Sequence, residues 1–169
     1  IPESRFVATE EEMKWAKSQK AEIGGNPVIL WAITGSAINK VYPHMDAVID
    51  GLVKEYPSCR IVTVGDDKAR DKIESGWETN HHVVRRCGVW DIRQTMTFAK
   101  VCDLVIGPET GVLNSVAMDR VYKIVMLSHS SVENLTRGWV NTLSLYSLST
   151  PCHPCHKMIR TWDHCVKDA

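Results

Sequence analysis

Two periods of apolar residues divide the chain. Val28–Ile33 (VILWAI) is an unbroken apolar run, the pattern of a strand buried on both faces. Arg60–Val64, Leu104–Ile106 and Val121–Leu127 repeat it, with β-branched residues in each. His81–Val84 reads as a weaker strand, and Leu143–Leu148 as a last strand or edge segment. Between these runs the period lengthens. Met45, Val48, Ile49, Leu52 and Val53 fall on one helical face, with Pro43 near the first helical position. Lys68–Ile73 is predicted helical. Asp91 can cap a helix with Ile92, Met96 and Ala99 on one face, Val112, Leu113, Val116 and Ala117 can pack another onto a sheet, and Val132–Leu135 starts a further one. Upstream, Thr9 and Glu12 form a capping box for a helix running to about Ala21. Its apolar face is thin (Met13, Ala16, Trp15), which predicts a solvated lead-in helix.

Strand and helix alternate about five times, the pattern of an α/β fold with a doubly wound parallel sheet. Right-handed crossovers bring the loops at Gly35, Gly65, Trp90, Glu109 and Ser128 to one sheet edge. The organisation expected is a lead-in helix and linker over 1–27, an α/β domain over 28–150 and a Cys/His-rich segment over 151–169.

Composition narrows the partners. Lys plus Arg and Asp plus Glu number 20 each in 169 residues, a balance that argues against nucleic acid held by a basic field. Apolar residues at 44% suit a soluble globular domain, and no run is long enough to span a membrane. Cys59, Cys87 and Cys102 are scattered as small core residues, which fits a reducing, cytoplasmic setting. The chain opens on Ile1 rather than Met, and we read it as a fragment, a processed chain or an excised domain.

The loops carry the candidate chemistry. Gly107-Pro108 ends its strand, because proline cannot donate to the ladder, and Glu109-Thr110-Gly111 then stands at the crest of a strand–turn–helix unit. Open α/β sheets bind ligands at such crests. Thr34-Gly35-Ser36 offers hydroxyls and a close backbone approach, and Lys40 a cation for phosphate or a plain surface lysine. Trp90 is either a cover for the core edge or a flat surface for a nucleobase. Gly65 with Asp66 and Asp67 is either an ordinary turn or a source of ribose acceptors. No Walker sequence, G-x-G-x-x-G or G-x-S-x-G is present, which disfavours an unrelated oxidoreductase or hydrolase.

Taken together, Thr34-Gly35-Ser36 with Lys40-Val41-Tyr42-Pro43, Gly88–Asp103, Gly107-Pro108-Glu109-Thr110-Gly111 and Pro151-Cys152-His153-Pro154-Cys155 resemble, in order, segments of the heptosyltransferase-like glycosyltransferases, family nine. The resemblance implies a Rossmann-like sheet forming the C-terminal, nucleotide-sugar-binding lobe of a GT-B type enzyme. It implies that Lys40, Thr110 and Gly111 meet the diphosphate, that Trp90 lies against the base, and that Glu109 stands near sugar and phosphates as the catalytic candidate. Thr34, Gly35, Ser36, Gly65, Asp66 and Asn114 complete the implied substrate set. Transfer would invert the anomeric centre without a metal or other cofactor. The general base and a glycan or lipid-linked acceptor are expected with an N-terminal lobe, at the inner membrane face if the acceptor is lipid-linked. This chain departs from the pattern in Glu109, where the family has Asp, and in Leu113-Asn114-Ser115, where many members have His. A lobe that binds nucleotide sugar without catalysis is the alternative.

In the tail, Cys152-x-x-Cys155, Cys165 and His156 could supply a Cys₃His set for a structural zinc. A disulfide and free thiols are the other readings.

Overall fold

The computed structural model describes residues 5–157, the side chain of Ile38 excepted. Its strands are β1 (Val28–Ala32), β2 (Arg60–Val64), β3 (Val83–Arg85), β4 (Leu104–Pro108), β5 (Tyr122–Leu127) and β6 (Thr142–Tyr146). They form one sheet in the order β3-β2-β1-β4-β5-β6, every neighbouring pair parallel. This is the Rossmann-like, doubly wound arrangement expected. All five residues of β1 are buried, as a central strand covered on both faces requires.

The helices are α1 (Glu10–Ile23), α2 (Met45–Glu55), α3 (Asp67–Lys72), α4 (Ile92–Ala99) and α5 (Gly111–Ser115). Strand alternation divides the core between two faces. Ile29, Trp31 and Ile61 pack with Met45 and Ile49 of α2, Ala69 of α3 and Trp77. Leu30, Ala32, Val62 and Val105 pack with Ala16 of α1, Phe98 and Ala99 of α4, and Val112 and Leu113 of α5. Ala32 pairs with Val64 and Trp31 with Ile106, so β1, β2 and β4 reach the carboxyl edge at one level and their loops meet there.

Several local expectations need correction. α1 runs to Ile23 and is docked rather than solvated: Ala16 is fully buried, and Trp15 lies edge-on to Trp90 with ring centroids 5.3 Å apart. Lys20 pairs with Asp103 at 2.6 Å, and Arg93 grips Glu12 through Nε at 2.6 Å and Nη2 at 2.8 Å. With the Thr9 N–H also donating, this fork holds the Glu12 carboxyl at about 2, well below its ordinary value. Pro43 lies before the cap residue, His44, rather than in the first turn of α2. In α4 the buried face is Thr95, Phe98 and Ala99, while Ile92, in the first turn, is 57% exposed. Val116 and Ala117 are buried beyond the end of α5. Val132–Thr136 is one π-helical turn, which the Ser131 hydroxyl caps by accepting the Asn134 N–H. No described helix is long and apolar enough to cross a membrane.

Candidate functional site

The carboxyl ends of β1, β2 and β4 open into a crevice of about 550 Å³. Its walls gather most of the binding residues expected from the sequence: Thr34, Gly35, Ser36, Lys40, Gly65, Asp66, Trp90, Glu109, Thr110 and Gly111. Asn114 is not in the lining; it is exposed, one turn further along α5. The Ser128 loop is not in the lining either, and stands behind Glu109.

Lys40 ends a single 3-10 turn after β1, and its ammonium donates to the Glu109 carbonyl at 2.9 Å. Its stem lies over Gly35, where a Cβ would come within 3.1 Å of Lys40 Cβ and overlap Cδ, so a side chain at 35 would push the lysine stem aside. The cation is thereby placed at the crevice wall. No ion pair to Lys40 occurs among the described residues, and an ammonium has three donors.

Thr110 occupies the cap position of α5 without capping it, and its Oγ1 is buried with no hydrogen-bond partner among the described residues. Such a hydroxyl is costly to leave unsatisfied, and a ligand oxygen in the crevice would supply the partner. Asp66 caps α3, accepting the Ala69 N–H at 2.9 Å, and it lines the crevice as well. Asp67 is outside the lining and pairs with Arg70 at 2.7 Å. Trp90 covers the core edge, packing on Phe98 at 4.8 Å and on Trp15, and also borders the crevice.

Glu109 behaves differently from the expectation of a carboxylate beside the sugar. It is 7% exposed, and its carboxylate is turned onto the loop after β5. Oε1 accepts the N–H groups of Ser128 at 2.9 Å, His129 at 3.0 Å and Ser130 at 2.8 Å. Oε2 accepts the Ser128 hydroxyl at 2.8 Å and lies 2.7 Å from His129 Nδ1. Burial pushes this carboxyl up, but the Ser130 and His129 N–H groups, the Ser128 hydroxyl and His129 outweigh it and hold it below its ordinary value. A carboxylate held ionised with its lone pairs filled is poorly suited to take or give a proton. Glu109 is therefore a positioning residue: its side chain fixes the β5 loop and its carbonyl fixes Lys40.

Ile92 and Thr95 also line the crevice and were missed as site residues. A signal existed in Asp91-x-x-Gln94, the capping box of α4, which sets both residues in the first turn beside the Trp90 loop.

In the tail, Cys152 and Cys155 are free and half-buried, His153 stacks on Tyr146 at 5.8 Å, and the His156 N–H donates to the His129 carbonyl at 2.9 Å. No group of three or more His, Cys, Asp or Glu among the described residues is arranged to hold a metal. Cys165, the remaining expected ligand, lies outside the described residues.

An all-parallel sheet of this order, with a crevice of mixed polar and apolar lining at its carboxyl edge, defines a Rossmann-like α/β lobe. Two solved structures that share it are glycosyltransferases. A family 9 glycosyl transferase from Veillonella parvula superposes with a TM-score of 0.71 at 15% identity, over 84% of this chain and 42% of that one. The ADP-heptose LPS heptosyltransferase II of E. coli superposes with a TM-score of 0.66 at 15% identity, over 86% of this chain and 47% of that one. The chain thus spans less than half the length of either. At such identity the likeness is one of fold. No family model matches the sequence, and no curated protein matches it.

Proposed function

We propose that this chain is the donor-binding lobe of an inverting glycosyltransferase, one that moves a heptose-like or other hexose from a nucleoside diphosphate sugar to a glycan or lipopolysaccharide-type acceptor. The observation that carries the reading is the convergence, in one crevice, of the Lys40 ammonium, the unpartnered Thr110 hydroxyl and the Trp90 ring. The diphosphate lies by Lys40, Thr110 and Gly111, and the nucleoside by Asp66 and Trp90.

When the sugar departs, negative charge grows on the nucleoside diphosphate. Lys40, already oriented by the Glu109 carbonyl, meets that charge without reorganising, which is stabilisation of a leaving group by a preorganised donor. Thr110 Oγ1 donates to a phosphate oxygen. This division of labour needs no divalent metal for the leaving group. The acceptor's proton goes to a base outside this chain, on the lobe that completes a GT-B enzyme, because Glu109 is committed to its loop. That commitment also supports a second reading, a lobe that binds nucleotide sugars without turning them over.

Calorimetric titration with ADP-, GDP-, UDP- and CDP-sugars tests the first step. Binding that weakens in Lys40→Ala and Trp90→Ala supports the reading, and no binding by any of the four rejects it. Turnover of donor by the full-length protein then separates the transferase from the binding module.

A further inference from the structure

Glu74 is the most deeply buried carboxylate among the described residues, 1% exposed, and it takes no part in the binding or leaving-group chemistry of the crevice. It opens the 3-10 turn Glu74–Trp77 after α3, away from the crevice lining. Its Oε1 accepts the Thr63 hydroxyl, the Arg86 N–H at 2.9 Å and the Cys87 N–H at 3.1 Å. One oxygen thus ties the end of β2 to the chain leaving β3.

After Cys87 the chain enters the Trp90 loop. The Arg86 carbonyl accepts the N–H groups of Val89 at 3.1 Å and Trp90 at 3.3 Å, and the Arg86 guanidinium lies 5.5 Å from the Trp90 ring centroid. The Gly88 N–H donates to the Gly65 carbonyl at 3.0 Å, which joins this loop to the one bearing Asp66. Gly88 has φ +67°, and a Cβ there would overlap the Asp67 carboxylate, so this path of the loop favours glycine. Arg86 is therefore the pivot of the loop; its N–H is shared between Glu74 Oε1 and the Thr63 carbonyl at 3.0 Å, and the Cys87 N–H goes to Glu74. A buried carboxylate with three donors on one oxygen is an expensive element unless it fixes something.

We propose that Glu74 is a positioning residue for the nucleoside end of the crevice, holding Arg86 and Cys87 so that Trp90 stands in the wall. This rests on the nucleotide-sugar reading. The two ends of the crevice are then held independently: Glu74 serves the nucleoside side, and Glu109 with Lys40 the diphosphate side.

The test compares Glu74→Leu, which removes the acceptor at similar volume, with Glu74→Gln, which keeps an acceptor oxygen. Amide hydrogen exchange is followed at 86–90 and 107–113, and calorimetry measures the affinity for ADP, UDP, GDP, CDP and inorganic pyrophosphate. Glu74→Leu is expected to speed exchange at 86–90 only and to weaken the nucleoside diphosphate that binds wild type by about tenfold. Pyrophosphate affinity stays as in wild type, and Glu74→Gln restores most of the loss. A general loss of fold would instead weaken pyrophosphate in parallel, which overturns the proposal. So does unchanged exchange at 86–90, or faster exchange with unchanged nucleotide affinity. If Glu74→Leu does not fold, Thr63→Val removes one of the three donors and must show the same pattern to a smaller degree. Wild type that binds no nucleoside diphosphate rejects the nucleotide reading, whereas nucleotide binding by wild type with unchanged exchange at 86–90 in Glu74→Leu rejects the positioning role alone.

Discussion

Lys40 and Glu109 meet through the main chain, not as opposite charges. The ammonium donates to the Glu109 carbonyl at 2.9 Å, while the Glu109 carboxylate faces residues 128–130. A carbonyl orients a lysine without neutralising it, so Lys40 keeps its full charge for a ligand. An ion pair would have neutralised that charge within the protein.

Lys40→Ala should therefore cost ligand affinity and little stability. The expected loss is roughly tenfold to a hundredfold for nucleoside diphosphates, about 1.4–3 kcal/mol for a charge-assisted contact. Calorimetry gives the affinity, and urea midpoints unchanged from wild type would show that the fold is intact. Pyrophosphate should be weakened as much as the nucleotides.

Glu109→Ala should act on stability as well. It leaves three buried or half-buried N–H groups and the Ser128 hydroxyl without their acceptor, at a cost of roughly 2–4 kcal/mol near neutral pH. The pH dependence has a definite sign. A carboxyl held below its ordinary value contributes its stabilisation above that value and loses it as pH falls through the lower, folded value. Urea midpoints between neutrality and strongly acidic pH should fall more steeply for wild type than for Glu109→Gln.

Lys123 makes a prediction of the same sign at alkaline pH. It is 1% exposed in β5, and its ammonium donates to the carbonyls of Asp119 at 2.9 Å and Val121 at 2.8 Å. Burial lowers it to about 8 from an ordinary 10.5, against a smaller opposing pull from Asp119. Between those two values the folded chain binds fewer protons than the unfolded one, so stability rises with pH across that window. Lys123→Met should flatten the rise in urea midpoint from pH 8 to 10.

Trp15→Ala tests whether α1 supports the crevice. The edge-on pair with Trp90 is worth about 0.5–1.5 kcal/mol beyond the area it buries. The substitution should lower the urea midpoint and weaken nucleotide binding through Trp90, while pyrophosphate binding, at the Lys40 end, is retained.

Much of the fold was legible in the chain. A central strand buried on both faces must be a continuous apolar run, so Val28–Ile33 and Leu104–Ile106 are unmistakable, and the crest loops are set by where those runs stop. Side-chain direction was not legible. Nothing in Glu-Thr-Gly says that the carboxylate turns inward, because three of its partners are backbone N–H groups that most sequences at 128–130 would offer. The docking of α1 was hidden for a related reason. Its contact is made by Ala16, the edge of the Trp15 ring and Ile23 at the helix end, with ion pairs besides, so no continuous apolar stripe announces it. Ile92 matched a helical period yet points to the crevice rim, since a first-turn residue after a cap projects beyond the packed face. Glu74 falls just after the helix predicted over Lys68–Ile73 and carries no signal of its own, and only the fold brings β2 and the exit of β3 around it.

The crevice is proposed to hold a nucleoside diphosphate with its phosphates at Lys40 and its base at Trp90. Calorimetric titration of wild type, Lys40→Ala and Trp90→Ala with nucleoside diphosphates, pyrophosphate and NAD addresses this in one series. We expect a nucleoside diphosphate to bind wild type, Lys40→Ala to weaken both nucleotide and pyrophosphate, and Trp90→Ala to weaken the nucleotide alone. Tight NAD binding with no affinity for any nucleoside diphosphate would refute it.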